Sequence, residues 1–233
     1  MENLNKVMKG IIQKFTWRYN WKINIMKINL ILLAAGNSSR FEGNKLLTII
    51  NNKPMYMNAI DIVSKISFNK IIVVTQYEEI KAALSKYNME VIMNYNSELG
   101  ISHSIKLGVQ SSKDADAYMF MVCDQPFISL ESIEELVNEF VKGHKGLACV
   151  EYKGNLCNPT IFSNRYKNDL LNLKGDIGGK YIINKNLDDL VTTEIYDKLE
   201  VTDIDTKKEL YDIEKKRWTA DNSSLFLMRT LEL

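Results

Sequence analysis

Short apolar runs alternate with helical stretches from residue 28 to about residue 142. That alternation predicts an α/β protein, a doubly wound, mostly parallel sheet in a single domain. Three features carry the prediction. INLILLA (Ile28–Ala34), KIIVVT (Lys70–Thr75) and YMFMVC (Tyr118–Cys123) are continuous apolar, β-branched or aromatic runs, as strands buried on both faces must be. Between Leu130 and Lys142, the residues Ile133, Leu136, Val137, Phe140 and Val141 recur at i, i+3, i+4, i+7 and i+8, the stripe of an amphipathic helix. The first apolar run empties into a small-residue turn, Ala34-Ala35-Gly36-Asn37-Ser38-Ser39, and such sheets bind ligands at strand carboxyl ends.

Taken in order, Ile28–Ala34 reads as the first strand. Pro54 stands where a first helical turn tolerates it, with Met57, Ile60 and Ile62 behind it. Lys70–Thr75 is a parallel strand, Tyr77–Lys86 is helical in composition, and Val91–Asn94 is a further short strand. Gly100–Ser111 opens a helix, and Tyr118–Cys123 is the most apolar strand, ending at Asp124. After Leu147 the pattern loosens. Strands are expected at Leu147–Tyr152, Pro159–Phe162 and Glu200–Ile204, and a helix around Gly178–Asn184. This half is expected to complete the same domain and cover its site. The domain is read as residues 26 to 216, with residues 1–25 as an extension and 217–233 as a tail.

Composition narrows the class. The 233 residues are 45% hydrophobic and 25% charged, ordinary for a globular protein. The net charge of +1, from 30 basic and 29 acidic residues, gives no reason to expect nucleic acid or a membrane surface as partner, so anion binding must come from local charge placement. Cys123, Cys149 and Cys157 make an odd count without CxxC spacing, so neither a disulfide framework nor a zinc site is expected. No run of roughly 18 apolar residues suggests a transmembrane helix. A reducing, cytoplasmic setting is the expectation. The first 25 residues are rich in Lys and Arg, but Met26 leads directly into the first strand, so they are read as lying outside the core.

Five constellations carry chemistry. The first is the loop Leu32–Lys45. Small residues let a ligand approach the backbone, amides in such a turn act as anion donors, and Arg40 and Lys45 add charge for phosphates. It matches neither G-x-G-x-x-G nor the P-loop, and a lone glycine after a strand is most often only a turn; the cation pair is the specific part. The second is Cys123-Asp124-Gln125-Pro126. Alone, Asp124 would be a turn aspartate; beside a cationic loop it becomes a hard-cation ligand. The third runs from Asn96 to Gly108, with Gly100, Ser104 and Gly108 four apart, a small-residue face that suits either a ligand or tight helix–sheet packing. The fourth, Gly175-Asp176-Ile177-Gly178-Gly179, is either a turn with Asp176 capping a helix or a loop offering amides to a phosphate. In the fifth, Asp203-Ile204-Asp205-Thr206, one carboxylate would join Asp124 at a metal and the other would cap a helix starting near Lys207; spacing does not say which. His103 and His144 read as surface or packing residues, and Cys123 as buried and inert.

The motifs LAAGNSSR…K, N…G…S…G, CDQP, NP, KGDIGG and DIDT, in this order, resemble the molybdenum cofactor cytidylyltransferase family, within the nucleotidyltransferases of molybdopterin-cofactor maturation. The resemblance spans about Lys27 to Ile213 and implies a Rossmann-like nucleotidyltransferase fold. Guanylyl relatives open with LAGG and lack GD-x-G. This chain departs from the pattern at Glu42-Gly43, where the family has Gly two residues after the Arg, and at Asn158, where it often has His before Pro.

The resemblance implies Mg²⁺-dependent transfer of CMP from CTP to molybdopterin, in which the terminal phosphate of the acceptor attacks the α-phosphorus and pyrophosphate leaves. It assigns catalysis to Arg40, Lys45 and Asp124, and metal binding to Asp124 with Asp205 or Asp203. The nucleotide falls to Leu33, Ala34, Ala35, Gly36, Ser38, Arg40, Lys45, Asn96 and Ser104, and the acceptor to Gln125, Pro159, Gly175, Asp176, Gly178 and Gly179. A molybdoenzyme or insertion chaperone would be the recipient partner. The rival readings are a nucleotidyltransferase for another phosphorylated acceptor, such as a sugar phosphate, and a non-catalytic nucleotide- or cofactor-binding chaperone.

Overall fold

The computed structural model describes residues 26–37, 41, 43–50 and 52–217. The readings placed on residues 1–25, on Ser38, Arg40 and Glu42, and on the tail from 218 lie outside the described residues.

The chain runs β1 (Ile28–Ala34), a short hairpin of β2 (Ile49–Ile50) and β3 (Lys53–Pro54), α1 (Met55–Val63), β4 (Lys70–Thr75), α2 (Glu78–Leu84), β5 (Glu90–Met93), α3 (Ile101–Ser111), β6 (Ala117–Val122) and α4 (Leu130–Gly143). Then follow β7 (Leu147–Tyr152), β8 (Asn155–Ser163), α5 (Lys167–Asn172), α6 (Lys180–Lys185), β9 (Leu190–Glu194) and a helix α7 over 207–217. Seven strands form one sheet in the order β5-β4-β1-β6-β8-β7-β9. β1 pairs in parallel with β4 and β6, β4 with β5, and β7 with β9; β8 runs antiparallel to both β6 and β7. The predicted doubly wound, mostly parallel sheet is therefore the fold, with β8 as the reversed strand. Among the described residues no helix is long and apolar enough to cross a membrane.

The pleat of β1 divides the core. Leu30 and Leu32 point to one face, under α1 and α4, while Ile31 points to the other, under α3. All residues of β1 except Leu33 are buried, which is why the strand reads as an unbroken apolar run. Its one polar member, Asn29, is fully buried and satisfied: its amide donates to Ser112 Oγ (2.7 Å) and its carbonyl accepts from Asn69 Nδ2 (2.6 Å). These bonds tie down the end of the sheet opposite the Gly36 turn. On α4, Ser129 caps the helix by accepting from Ser132 N, and Ile133, Leu136, Val137 and Phe140 are buried, as the stripe requires.

The small-residue face of α3 is resolved at one position in favour of packing. A Cβ at Gly108 would lie 2.4 Å from Ile31 Cγ2, so the missing side chain is what lets α3 sit on β1. Gly108→Ala is expected to destabilise the fold by about 1–3 kcal/mol through overpacking, measured as a lower urea midpoint; an unchanged midpoint would show that α3 can move freely.

Three of the differences from the sequence reading bear on the site. Glu200–Ile204 is not a strand. Asp197 accepts from Leu199 N and turns Lys198–Val201 into a 3₁₀ helix, and the chain then crosses over Asp124, with Ile204 N donating to its carbonyl (3.0 Å). The loop helix is α6, whose first turn has Gly179 at the cap position and no side-chain cap, so Asp176 does not play that role. The strand expected at Pro159–Phe162 begins earlier, because Lys153 and Gly154 (φ 48° and 78°) form a two-residue hairpin turn between β7 and β8.

Candidate functional site

The site is built at the carboxyl ends of β1, β4 and β6. Where β1 ends, three successive carbonyls are taken by three successive side chains from the end of β4. Thr75 Oγ1 donates to Ala34 O (3.0 Å), Gln76 Nε2 to Ala35 O (2.9 Å) and Tyr77 OH to Gly36 O (2.7 Å). The turn's backbone is thereby pinned from outside, and its own small side chains stay clear. Among the described residues a Cβ at Gly36 would meet nothing within 4 Å, which leaves space beside it for a ligand. Asn37 is fixed in turn: its carbonyl oxygen accepts from Gln76 Nε2 (2.9 Å) and Ser97 Oγ (2.8 Å).

Around this turn lies a cavity of about 220 Å³, bordered by Leu33, Ala35, Gly36 and Asn37 from the first loop and by Ser97, Gly100 and Ser104 from the entry to α3. Asp124 and Asp176 also face it. Ser104 Oγ accepts from Asn94 Nδ2 (2.9 Å) inside the fold. Asn96 does not line the cavity; its backbone N–H donates to Asn94 Oδ1, and Ser97 occupies the place expected of it.

Lys45 borders neither cavity itself but is tied to Asp124, which borders the smaller one. Its ammonium donates to Asp124 Oδ2 (2.6 Å) and to Asp205 Oδ1 (3.1 Å), joining residues from three distant parts of the chain, and its side chain is only 10% exposed. Burial pulls the Lys45 pKa down, but the charges and hydrogen bonds of Asp124 and Asp205 outweigh it and hold the ammonium above the ordinary lysine value. The two carboxylates thus favour the charged form of Lys45. Asp124 Oδ1 is buried without a hydrogen-bond partner among the described residues. Such an oxygen is costly unless something outside the protein meets it.

A second, larger cleft of about 370 Å³ adjoins the first, sharing Leu33, Ile101 and Val122 with it. Its polar groups include Gln125, Asn158, Thr160, Lys180 and Asp203, and its floor is apolar. Gln125 Nε2 donates to Asp203 Oδ1 (2.9 Å). Burial, then the neighbouring Asp124 charge, raise the Asp203 carboxyl above its usual range, against the lowering effect of the Gln125 hydrogen bond and of Lys45.

The sequence-predicted residues thus separate. Ala35, Gly36, Ser104, Asp124 and Asp176 border the smaller cavity; Gln125, Gly178, Gly179 and Asp203 border the larger; Leu33 borders both. Pro159 lies in β8 where the β7–β8 register shifts, beside the cleft-lining Asn158, a position that tolerates the missing N–H. Gly175 supports rather than lines, its carbonyl accepting from Ser102 N (3.1 Å). The three aspartates do not converge into one cage. Among the described residues no group of three or more His, Cys, Asp or Glu side chains is placed to hold a metal, because Lys45 stands between Asp124 and Asp205 while Asp203 is bonded to Gln125. His103 and His144 border neither cavity, and the Cys123 thiol is buried, its pKa pushed up by desolvation and then by Asp124, so it is inert. Asn37, Ser97, Gln76, Tyr77 and Lys180 were not anticipated from the sequence. Asn37 and Ser97 lie within the small-residue turn and the Asn96–Gly108 run that the sequence marks, and Lys180 directly follows the Gly178-Gly179 pair, whereas Gln76 and Tyr77 carry no such sign.

Sheet order and the helices packed on both faces define a single Rossmann-like α/β domain with two adjoining cavities at its strand ends. The chain belongs to the family of MobA-like NTP transferase domains, whose description matches residues 30–190. It is 31% identical over 126 residues to a probable molybdenum cofactor guanylyltransferase of Pyrococcus horikoshii, covering 54% of this chain and 62% of that protein. It is 26% identical over 120 residues to the bifunctional protein GlmU of a Psychrobacter species, covering 50% of this chain and 26% of that protein. The chain thus spans less than two thirds of these relatives' length. Among solved structures it is similar to Rv0371c of Mycobacterium tuberculosis (TM-score 0.72, 18% identity, 81% of this chain and 98% of the other). The same mycobacterial protein in complex with manganese matches with a TM-score of 0.63 and 17% identity over 73% of this chain and 89% of the other. A CMP:2-keto-3-deoxy-manno-octonic acid synthetase complexed with CTP matches with a TM-score of 0.67 and 14% identity over 83% of this chain and 99% of the other. At these identities the structures share the fold.

Proposed function

We propose that this chain transfers CMP from CTP to the terminal phosphate of molybdopterin, releasing pyrophosphate. One observation carries the transferase part of the reading: two adjoining cavities open at the strand ends, one under the β1 turn and bordered by Asp124, the other large enough for a second substrate, and Asp124 is tied through Lys45 to Asp205. The order of the LAAG, DQP and GD-x-G motifs and the similarity to a molybdenum cofactor guanylyltransferase support the acceptor. The motifs, and a CTP complex among the structural neighbours, support the base.

The reaction joins two anions, so the protein must bring them together and stabilise charge on the leaving pyrophosphate. Positioning and electrostatics suffice, without a protein nucleophile. The nucleotide lies in the smaller cavity, with Ala34–Gly36 against base and phosphate and Asn37, Ser97 and Ser104 around base and ribose. Arg40 and Lys45 neutralise the β- and γ-phosphates. The acceptor lies in the larger cleft, its phosphate oxygen directed at the α-phosphorus; the new P–O bond forms there as the bond to the bridging oxygen of pyrophosphate breaks. Divalent metal fits the residues present, since Asp124 Oδ1 is a buried carboxylate oxygen without a partner among the described residues and one or two carboxylates plus substrate phosphates are what Mg²⁺ takes. Asp124 with Asp205 or Asp203 would hold it, and when bound it supplies Lewis-acid polarisation of the α-phosphate.

The test is pyrophosphate release with each of the four NTPs, with molybdopterin or with a sugar phosphate as acceptor. CTP with molybdopterin is expected to give the highest kcat/KM. Preference for GTP would move the chain to guanylyl transfer, preference for the sugar phosphate would replace the acceptor, and silence with every pair would favour the binding-protein reading.

A further inference from the structure

The larger cleft holds a charge that the proposed reaction has not used. Of the side chains that line it, Lys180 is the cation and Asp203 the carboxylate. Asp203 is engaged by Gln125 and feels the charges of both Asp124 and Lys45. The other lysine of the site, Lys45, is already shared between two carboxylates. Lys180 differs: among the described residues no carboxylate lies within ion-pair distance of it, and its ammonium acts electrostatically on Cys157, which lines the same cleft. The loop fixes where Lys180 stands. A Cβ at Gly179 would lie 2.7 Å from Phe162 Cζ, so the backbone just before Lys180 rests on the Phe162 ring. Phe162 is itself held edge-on by Phe120 (centroids 5.7 Å apart, planes at 79°) in the floor of the cleft. Lys180 therefore follows an anchored backbone and stands exposed at the border of the cleft, beside its apolar floor.

We infer that Lys180 holds the phosphate of the acceptor and offsets the Asp203 and Asp124 charges as that phosphate approaches the nucleotide. The inference rests on the proposed transfer to a phosphorylated acceptor and adds the group that recognises it. It does not depend on whether that acceptor carries a pterin or a sugar.

The test compares wild type, Lys180→Ala and Lys180→Arg, reading pyrophosphate release while molybdopterin or glucose 1-phosphate is varied at saturating CTP or GTP. The nucleotide KM is measured separately. Lys180 is exposed, so both variants should fold. For whichever acceptor the wild type uses, Lys180→Ala should raise the acceptor KM by about 10- to 100-fold, as loss of one charge-assisted hydrogen bond does. The nucleotide KM should stay within about twofold, and Lys180→Arg should recover most of the loss. An unchanged acceptor KM, a parallel rise in nucleotide KM, or an Arg variant no better than Ala would overturn the inference. Wild-type turnover of glucose 1-phosphate but not molybdopterin would sink the molybdopterin reading alone, and the Lys180 comparison would then be decided on the sugar phosphate. Turnover of neither would sink both.

Discussion

Asp124→Asn is expected to lower kcat/KM by roughly 10²–10³, the scale seen when one preorganised electrostatic group is removed from a transition state, while leaving the fold intact. The substitution keeps the shape of the side chain and an oxygen that can accept from Lys45. It removes the negative charge and replaces one carboxylate oxygen with an amide donor. Lys45 retains Asp205 at 3.1 Å, so no buried cation is stranded. The change in stability should stay within about 1 kcal/mol, because these carboxylates are partly exposed and their pairing is screened. Lys45→Ala should behave differently. It leaves Asp124 and Asp205, which both reach the same ammonium, facing each other without it, and should cost about 1–3 kcal/mol as well as activity. Steady-state pyrophosphate release and urea midpoints on the two variants separate these cases. An Asp124→Asn enzyme with full turnover would remove Asp124 from the chemistry, and a Lys45→Ala protein as stable as wild type would mean that the triad holds nothing together.

What the sequence made visible follows from burial. β1, β4 and β6 lie inside the sheet with helices on both faces, so their apolar runs are continuous and their limits are sharp. β9, LVTTE, is a half-exposed edge strand whose threonines dilute the apolar signal, so it does not stand out in the sequence although Val191, Thr192 and Thr193 are good strand formers. Glu200–Ile204 looked like a strand because it is short and partly apolar, but Asp197 captures the first turn and Asp124 O captures Ile204 N. The site divides along the same line. Lys45 and Asp124 are charged residues placed just after apolar strands or small-residue turns, an arrangement that is unusual in sequence. Asp205 is equally visible, but its sharing of Lys45 spans 160 residues and depends on the crossing of the last segment. Gln76 and Tyr77 act on backbone carbonyls of another strand, and nothing in the type or spacing of either residue announces that.

Gly100 joins the two halves of the site, and Gly100→Ala is expected to damage both fold and acceptor binding. Its backbone, at φ 83° and ψ 179°, lies in a region open essentially to glycine alone. A Cβ there would also lie 2.4 Å from the carbonyl carbon of Gly175 and 2.5 Å from both Gly175 O and Asp176 Oδ1. Two of those three atoms are backbone, so relief requires the 175–179 loop to move, and that loop accepts from Ser102 N and carries Gly178, Gly179 and Lys180 into the larger cleft. Strain and clash together should lower stability by about 2–4 kcal/mol. Gly154→Ala supplies the comparison. Gly154 also has a positive φ, 78°, but a Cβ there would meet nothing within 4 Å, so it should lose only the conformational part, about 1–2 kcal/mol. Activity should divide the same way: Gly100→Ala should raise the acceptor KM more than the nucleotide KM, and Gly154→Ala neither. Equal urea midpoints for the two variants would show that the 175–179 loop yields without cost. An acceptor KM unaffected in Gly100→Ala would show that the position of that loop does not govern the larger cleft.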